Sequence, residues 1–269
     1  MFRVHLLRGV SARAFLSALS YVLLAIRHFG DGLARTTDNL GFTGEPPVNR
    51  ELLDALATRL IASGWSTKKL HREMVLSAAY RRTSRAANPE ADPRNELLSH
   101  FPVRRLEAEA IRDAMLAVSG TLDLKMYGPS ITPHISPYQN GRGKPKSGPL
   151  DGGGRRSLYI EVRRNFLTPM FLAFDYPLPI STIGVRNRST VPAQALMMMN
   201  NDFVLGQAER WASRVEAQPD RIALMYQQAF ARPPEAKERR SAEDYLAQGG
   251  TLAGLAHVLF NTPEFIYVQ

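Results

Sequence analysis

"PVRRLEAEAIRDAMLAVSGTLD", residues 102–123, sets the fold class of this chain. The stretch runs from Val103 to Ser119 without Gly or Pro, its Ala, Leu, Met, Glu and Arg residues favour helix, and Gly120 stands where a left-handed cap ends one. Projected at about 100° per residue, Leu106, Ala110, Ile111, Ala114, Ala117 and Val118 gather on one side. Arg105, Glu109, Arg112 and Asp113 fall opposite, within an arc of about 100°, where pairs three and four residues apart are worth about 0.2–0.5 kcal/mol each when exposed. Glu107 falls among the apolar side chains. An unpaired carboxylate is costly there, so it should interact with the helix N-terminus or meet an arginine from elsewhere.

The same period extends outward in both directions. Residues 49–64, "NRELLDALATRLIASG", place Leu52, Leu53, Leu56, Leu60 and Ile61 at helical spacing, and Ser66 caps a second helix carrying Leu70, Met74, Val75 and Ala78. Residues 84–95 are turn-rich. Beyond Pro192, "AQALMMMN", "DFVLGQAERWASRVEA", "DRIALMYQQAFA", "PEAKERRSAEDYLAQ" and "TLAGLAHVLFN" read as successive helices. Between them, residues 122–154 are rich in Gly and Pro, an irregular loop expected to be mobile over about 139–154. "RRSLYIEVRRN" then alternates as a strand would, with its partner drawn from the loop. Alternation sends Arg163 and Arg164 to opposite faces, so one turns inward, and a structural pair of Glu107 with Arg163 or Arg164 is expected. The fold is thus expected to be mainly α, a single domain over 28–269 with a small β element and long loop at about 122–165.

With 269 residues, 44% of them apolar, the chain can bury a core and disorder is not expected. The formal charge is +9, and 28 of the 34 basic residues are arginines, an excess that suits nucleic acid, anionic polysaccharide or an acidic surface. The absence of Cys removes disulfides, thiolate metal sites, thiol catalysis and covalent haem attachment. Near the N-terminus the uncharged run Ala14 to Ile26 is too short to span a membrane. It suits a signal core, but no small-residue cleavage site follows, so residues 1–27 read as a divergent helix or a vestigial targeting segment.

No catalytic motif stands out. The histidines, His5, His28, His71, His100, His134 and His257, form no helical metal pair, so no metal site is expected, and His28 beside Asp38 and Glu45 is the first place to look for one. No nucleophile elbow surrounds any serine, and "GRGKPKSG", residues 141–148, lacks the spacing of a phosphate-binding loop. In "GVRNRSTVPAQALMMMNNDF", residues 184–203, Ser189 or Thr190 is placed to cap a helix with Pro192 in its first turn. Met197, Met198 and Met199 fan through about 200° on that helix, cannot share one ion, and read as core filler. Ahead of them Arg186, Asn187 and Arg188, together with Arg163, Arg164 and Asn165, form a candidate anion-binding lip.

Several stretches taken together resemble one family: residues 28–57, 64–84, 104–123, 155–179 and 185–212, with "QAFARPPEAKE" and "LFNTPEFIYV" at the tail. That family is the planctomycete domain of unknown function 1553, or PSD1, and the likeness runs in order over about residues 28–269. The resemblance implies a C-terminal module of large exported, hence periplasmic or extracellular, bacterial proteins. Relatives often carry haem c in a separate upstream domain, in genomes rich in sulfatases. No cofactor is expected in this chain, and residues 1–26 depart from the helix that usually precedes His28, so the chain reads as a truncated or isolated module.

The functional expectation is a non-catalytic helical module that docks to other domains or proteins of the same assembly or binds sulfated or uronic polysaccharide. The alternative is part of a polysaccharide-degrading enzyme, with Glu107, Glu109, Asp113, Glu161 and Asp175 as the acids in suggestive settings. Nucleic-acid binding rests on charge alone.

Overall fold

Asn49 accepts a hydrogen bond from the N–H of Leu52 at 2.8 Å and opens helix α1, Arg50–Ala62. Ser66 does the same for Lys69 at 3.3 Å and opens α2, Thr67–Leu76. Both caps satisfy N–H groups that a helix start leaves free. Leu53, Ala57 and Leu60 of α1 and Leu70 and Met74 of α2 are buried, and Phe29, Tyr80 and Phe101 add edge-to-face aromatic contacts. These belong to the first of two compact units, residues 1–104 with 183–185 and 269.

The computed structural model describes residue 25 and residues 28–37, 39, 43–180 and 183–268. The N-terminal helix or targeting segment expected over residues 1–27 therefore lies, Ala25 apart, outside the described residues, as does Asp38.

The second unit, residues 105–182 with 186–268, holds the remaining helices: α3, Ala108–Ser119; α4, Pro169–Ala173; α5, Pro192–Asn200; α6, Asp202–Val215; α7, Arg221–Phe230; α8, Ala236–Ala247; α9, Leu252–Phe260; and α10, Pro263–Ile266. The five helices read beyond Pro192 are all present as α5 to α9. Helix α6 is the axis of the unit, with α9 along one side and α3 along another. Trp211 of α6 is fully buried, stacks on Phe260 at 5.1 Å, and donates its indole N–H to Gln228 at 2.7 Å, so its one polar atom is satisfied inside the core. Met115, Leu116, Val204, Met225 and Leu259 complete that core, each such buried side chain stabilising by about 1.5–3 kcal/mol.

Among the described residues, strand is confined to a two-stranded pair, Arg104–Arg105 (β1) and Tyr267–Val268 (β2). Helix makes up 45% of the chain and strand 3%, which places it in the mainly α class. Among the described residues no helix is long and apolar enough to cross a membrane.

The strand expected over residues 155–165 is corrected. The chain there makes 3-10 turns at Gly152–Gly154 and Ser157–Tyr159, leaving Leu158 and Val162 exposed. Its partner does come from the loop, but as single bridges, Asp123 with Arg155 and Ile131 with Ile160. The Ile131 N–H donates to Tyr159 O and the Glu161 N–H to Ile131 O, both at 2.8 Å, and the pairing goes no further.

Candidate functional site

Helix α3 buries Ala108, Ile111, Arg112, Met115, Leu116 and Ser119, a stripe at i, i+3, i+4, i+7, i+8 and i+11. The apolar arc read from the sequence is rotated from it, since Ala110 and Ala117 are exposed. Alanines bury little surface and should weigh less than Met115 and Leu116 in fixing which face turns inward. The arc taken as exposed thus carries two buried arginines, Arg112 at 3% and Arg105 at 8% exposure.

Arg112 is held by the base of the long loop. Its Nη1 donates to Arg155 O at 2.9 Å and to Ser157 Oγ at 3.0 Å, its Nη2 donates to Asp151 O at 2.6 Å, and Asp113 lies 3.3 Å away. Burial pulls the guanidinium pKa down against the attraction of Asp113 and Asp151, yet an arginine stays charged at any working pH. Arg105 reaches Ser189 O at 2.8 Å and Asp175 Oδ2 at 2.7 Å, and Asp175 also accepts from the N–H and hydroxyl of Ser189 at 2.8 and 2.9 Å. Burial would raise the Asp175 carboxyl, but the Ser189 bonds and Arg105 outweigh it and hold it below its ordinary range.

The ion pair expected for Glu107 forms with a different arginine. Glu107 is the N-cap position of α3, half-exposed rather than inside the core, and lies 3.2 Å from Arg186. Arg186 makes a bidentate pair with Glu109 at 2.8 and 2.9 Å and lies over the Tyr176 ring at 5.2 Å. Burial alone would lower its pKa; Glu109 and then Glu107 raise it. Arg163 pairs instead with Glu161 at 3.0 Å, and its buried Nε has no hydrogen-bond partner. One of Arg163 and Arg164 was expected to turn inward by strand alternation; no strand forms there, and Arg163 is half-buried beside Glu161 while Arg164 is exposed.

Of the six residues read as an anion-binding lip, Arg186 and Arg163 are therefore engaged by carboxylates, while Arg164, Asn165, Asn187 and Arg188 are exposed. Ser189 and Thr190 do not cap α5. Ser189 serves Asp175, Thr190 lies 3.3 Å from the Tyr267 hydroxyl, and Val191 takes the N-cap position without a side-chain bond, with Pro192 in the first turn as read. The methionines separate as the fan requires: Met198 is 1% exposed in the core, Met197 is half-buried and packs against it, and Met199 is 56% exposed, so core filler describes Met198 and in part Met197 but not Met199.

A cleft of about 700 Å³ opens in the second unit between the long loop and the two helices that follow the methionines' lead-in. The loop supplies His134, Ser136 and Tyr138; α5 supplies Leu196, Met197 and Asn200; the start of α6 supplies Asn201, Asp202 and Phe203; and Arg112 closes the α3 side. The loop is tied at several points. Gly148 N–H donates to Pro133 O at 3.0 Å, and Gln139 accepts from Ser136 N–H and donates to Leu167 O, both at 2.9 Å. Tyr138 projects from it 92% exposed. The exposed cations Arg142, Lys144 and Lys146 follow; Lys144 bonds Asn140 at 3.4 Å, and none of the three is ion-paired among the described residues.

Nothing in the sequence pattern joins these segments into a cleft. Its one local signal was an aromatic residue, Tyr138, following Pro137 in a polar loop where no core needs it. Among the described residues no group of three or more His, Asp or Glu side chains could hold a metal ion. Near the first candidate, His28, the Glu45 backbone N–H bonds Thr36 at 2.8 Å, and the His28 ring bonds His71.

Compared with known proteins, residues 26–246 match PSD1, a protein family of unknown function (DUF1553). The span 247–269, whose ending resembles that family's, lies beyond the match. No curated protein and no solved structure matches the chain. The chain belongs to the PSD1 family.

Proposed function

We propose that this member of the PSD1 family is a non-catalytic binding module that takes an anionic glycan, sulfated or uronic, in the cleft beneath Tyr138. The observation that carries the reading is the composition of that cleft. An almost wholly exposed tyrosine offers a face for a sugar ring, Asn200, Asp202, His134 and Ser136 offer directional hydrogen bonds, and the same loop carries three cations without ion-pair partners among the described residues. Such cations attract sulfate or carboxylate without first breaking an internal pair.

The arrangement of the acids favours binding over hydrolysis. Glycoside cleavage uses two carboxyl groups about 5–9.5 Å apart across the scissile bond. Of the described residues lining the cleft, Asp202 alone carries a carboxylate. Glu107, Glu109, Asp113, Glu161 and Asp175 all pair with arginines. Glu209 of α6 and Glu216, its C-cap, line a shallow hollow elsewhere, with about 10.5 Å of helical rise between their backbone positions, beyond that separation. Nucleic-acid binding is less favoured, because much of the arginine excess is spent on internal carboxylates and carbonyls.

The test is calorimetric titration of the full chain with heparin oligosaccharides and oligogalacturonate, with neutral dextran as control, at two salt concentrations. Binding to at least one anionic glycan that weakens steeply with salt, and that Tyr138→Ala abolishes, is the expected result. No binding at low salt, or unchanged binding by the Tyr138 variant, would overturn the reading.

A further inference from the structure

In the first unit, the ring of His28 lies with its Nε2 2.7 Å from the Nδ1 of His71 on α2, the two rings edge to face at 5.0 Å. A nitrogen–nitrogen contact this short is a hydrogen bond with a single proton between the rings: one nitrogen donates and the other accepts. A charged imidazolium carries N–H on both nitrogens. If both rings are charged, two N–H groups point at each other and the bond is lost.

The surroundings oppose extra charge. Tyr80, from the turn after α2, stands edge-on to His28 at 5.9 Å and to Phe29 at 5.9 Å, and Phe101 closes on Tyr80 at 5.4 Å. The charged group that faces the pair from β1 is Arg104, another cation. Neither histidine forms an ion pair with a carboxylate among the described residues. Burial, then His71, then Arg104 depress the basicity of His28.

We propose that His28 and His71 form a proton-operated latch, which ties the segment around Phe29 to α2 while the pair shares one proton and releases it when both rings are protonated. This device is independent of the glycan reading. Because the folded state holds His28 below its ordinary value near 6.5, the folded form binds fewer protons than the unfolded one. The contribution is complete above that value and is lost as the pH falls below it.

The test uses the full chain. Imidazole ¹⁵N NMR follows both rings from pH 8 to 4.5, and hydrogen exchange, corrected for its intrinsic pH dependence, reports opening around residues 28–37. The expected result is His28 titrating below the free-histidine value, with exchange of that segment rising about tenfold between pH 7 and 5. In His71→Gln, whose amide keeps a neutral hydrogen-bonding group, the acid-induced rise should fall to less than twofold. A rise of the same size in that variant, no rise in the unmodified chain, or His28 titrating at or above the free value would overturn the proposal. Should His71→Gln fail to fold, the titration of the unmodified chain decides it.

Discussion

The buried arginines, Arg105 of β1 and Arg112 of α3, and the cations of the loop tip are basic residues put to opposite uses. Arg105 and Arg112 are withdrawn from water and surrounded by carbonyls, a serine hydroxyl and a carboxylate, whereas Arg142, Lys144 and Lys146 stand in solvent. A buried guanidinium is tolerated where acceptors offset its charge, so it fixes the chain segments that supply them. A solvated cation fixes nothing and remains available to a ligand. The charge total of a chain therefore overstates what it can present to a partner.

The contrast can be broken most forcefully at Asp175. Asp175→Ala leaves Arg105 charged and buried without its carboxylate and should cost about 3–5 kcal/mol in urea unfolding. A loss near zero would mean that Arg105 rests on its carbonyl partners alone. The Asp175 carboxyl is held below its ordinary range, so its stabilisation is complete above the usual aspartate value of about 3.9 and is lost as the pH falls through the folded value. The variant should lose that part of the acid limb.

A second measurement compares neighbours on α5. Met198→Ala should cost about 2–5 kcal/mol and Met199→Ala no more than about 0.5 kcal/mol, since one side chain fills the core and the other meets solvent. Equal losses would show that the face of α5 is misassigned. The smallest expected effect lies at the loop tip: replacing Arg142, Lys144 and Lys146 with serine should shift unfolding by about 0.5 kcal/mol or less. A shift above about 2 kcal/mol would give these cations a structural role.

These differences also mark what the sequence could disclose. Helices α5 to α9 were legible because large apolar residues recur at helical spacing between clear breakers, and the cap of α2 because Ser66 acts on a residue three positions away. The buried arginines were not legible, since the carbonyls that accept from them lie far along the chain: Arg105 bonds residue 189 and Arg112 bonds residues 151 and 155. Residues 155–165 misled for another reason. Alternation over a few residues is satisfied equally by a strand and by a 3-10 turn leading into a single bridge, and only the neighbouring chain decides between them. The cleft needed three separate segments brought together, so Tyr138 was its only trace.

One consequence follows from the three glycines at the loop's base. Gly152, Gly153 and Gly154 all have positive φ, at 57°, 60° and 72°; a Cβ on Gly152 would come within 2.6 Å of Arg112 Nη2, and one on Gly154 within 2.3 Å of Thr121 O. The base thus admits almost no substitution. Farther out, Gly143 has open space where a Cβ would stand, and only its φ of 76° favours glycine there. Once the ends are fastened, lengthening the intervening chain is thermodynamically inexpensive, about 0.6 kcal/mol for each doubling. The loop is therefore a fixed socket with an interchangeable tip, where a peptide tag or a foreign recognition sequence could be inserted while the helical core stays as it is.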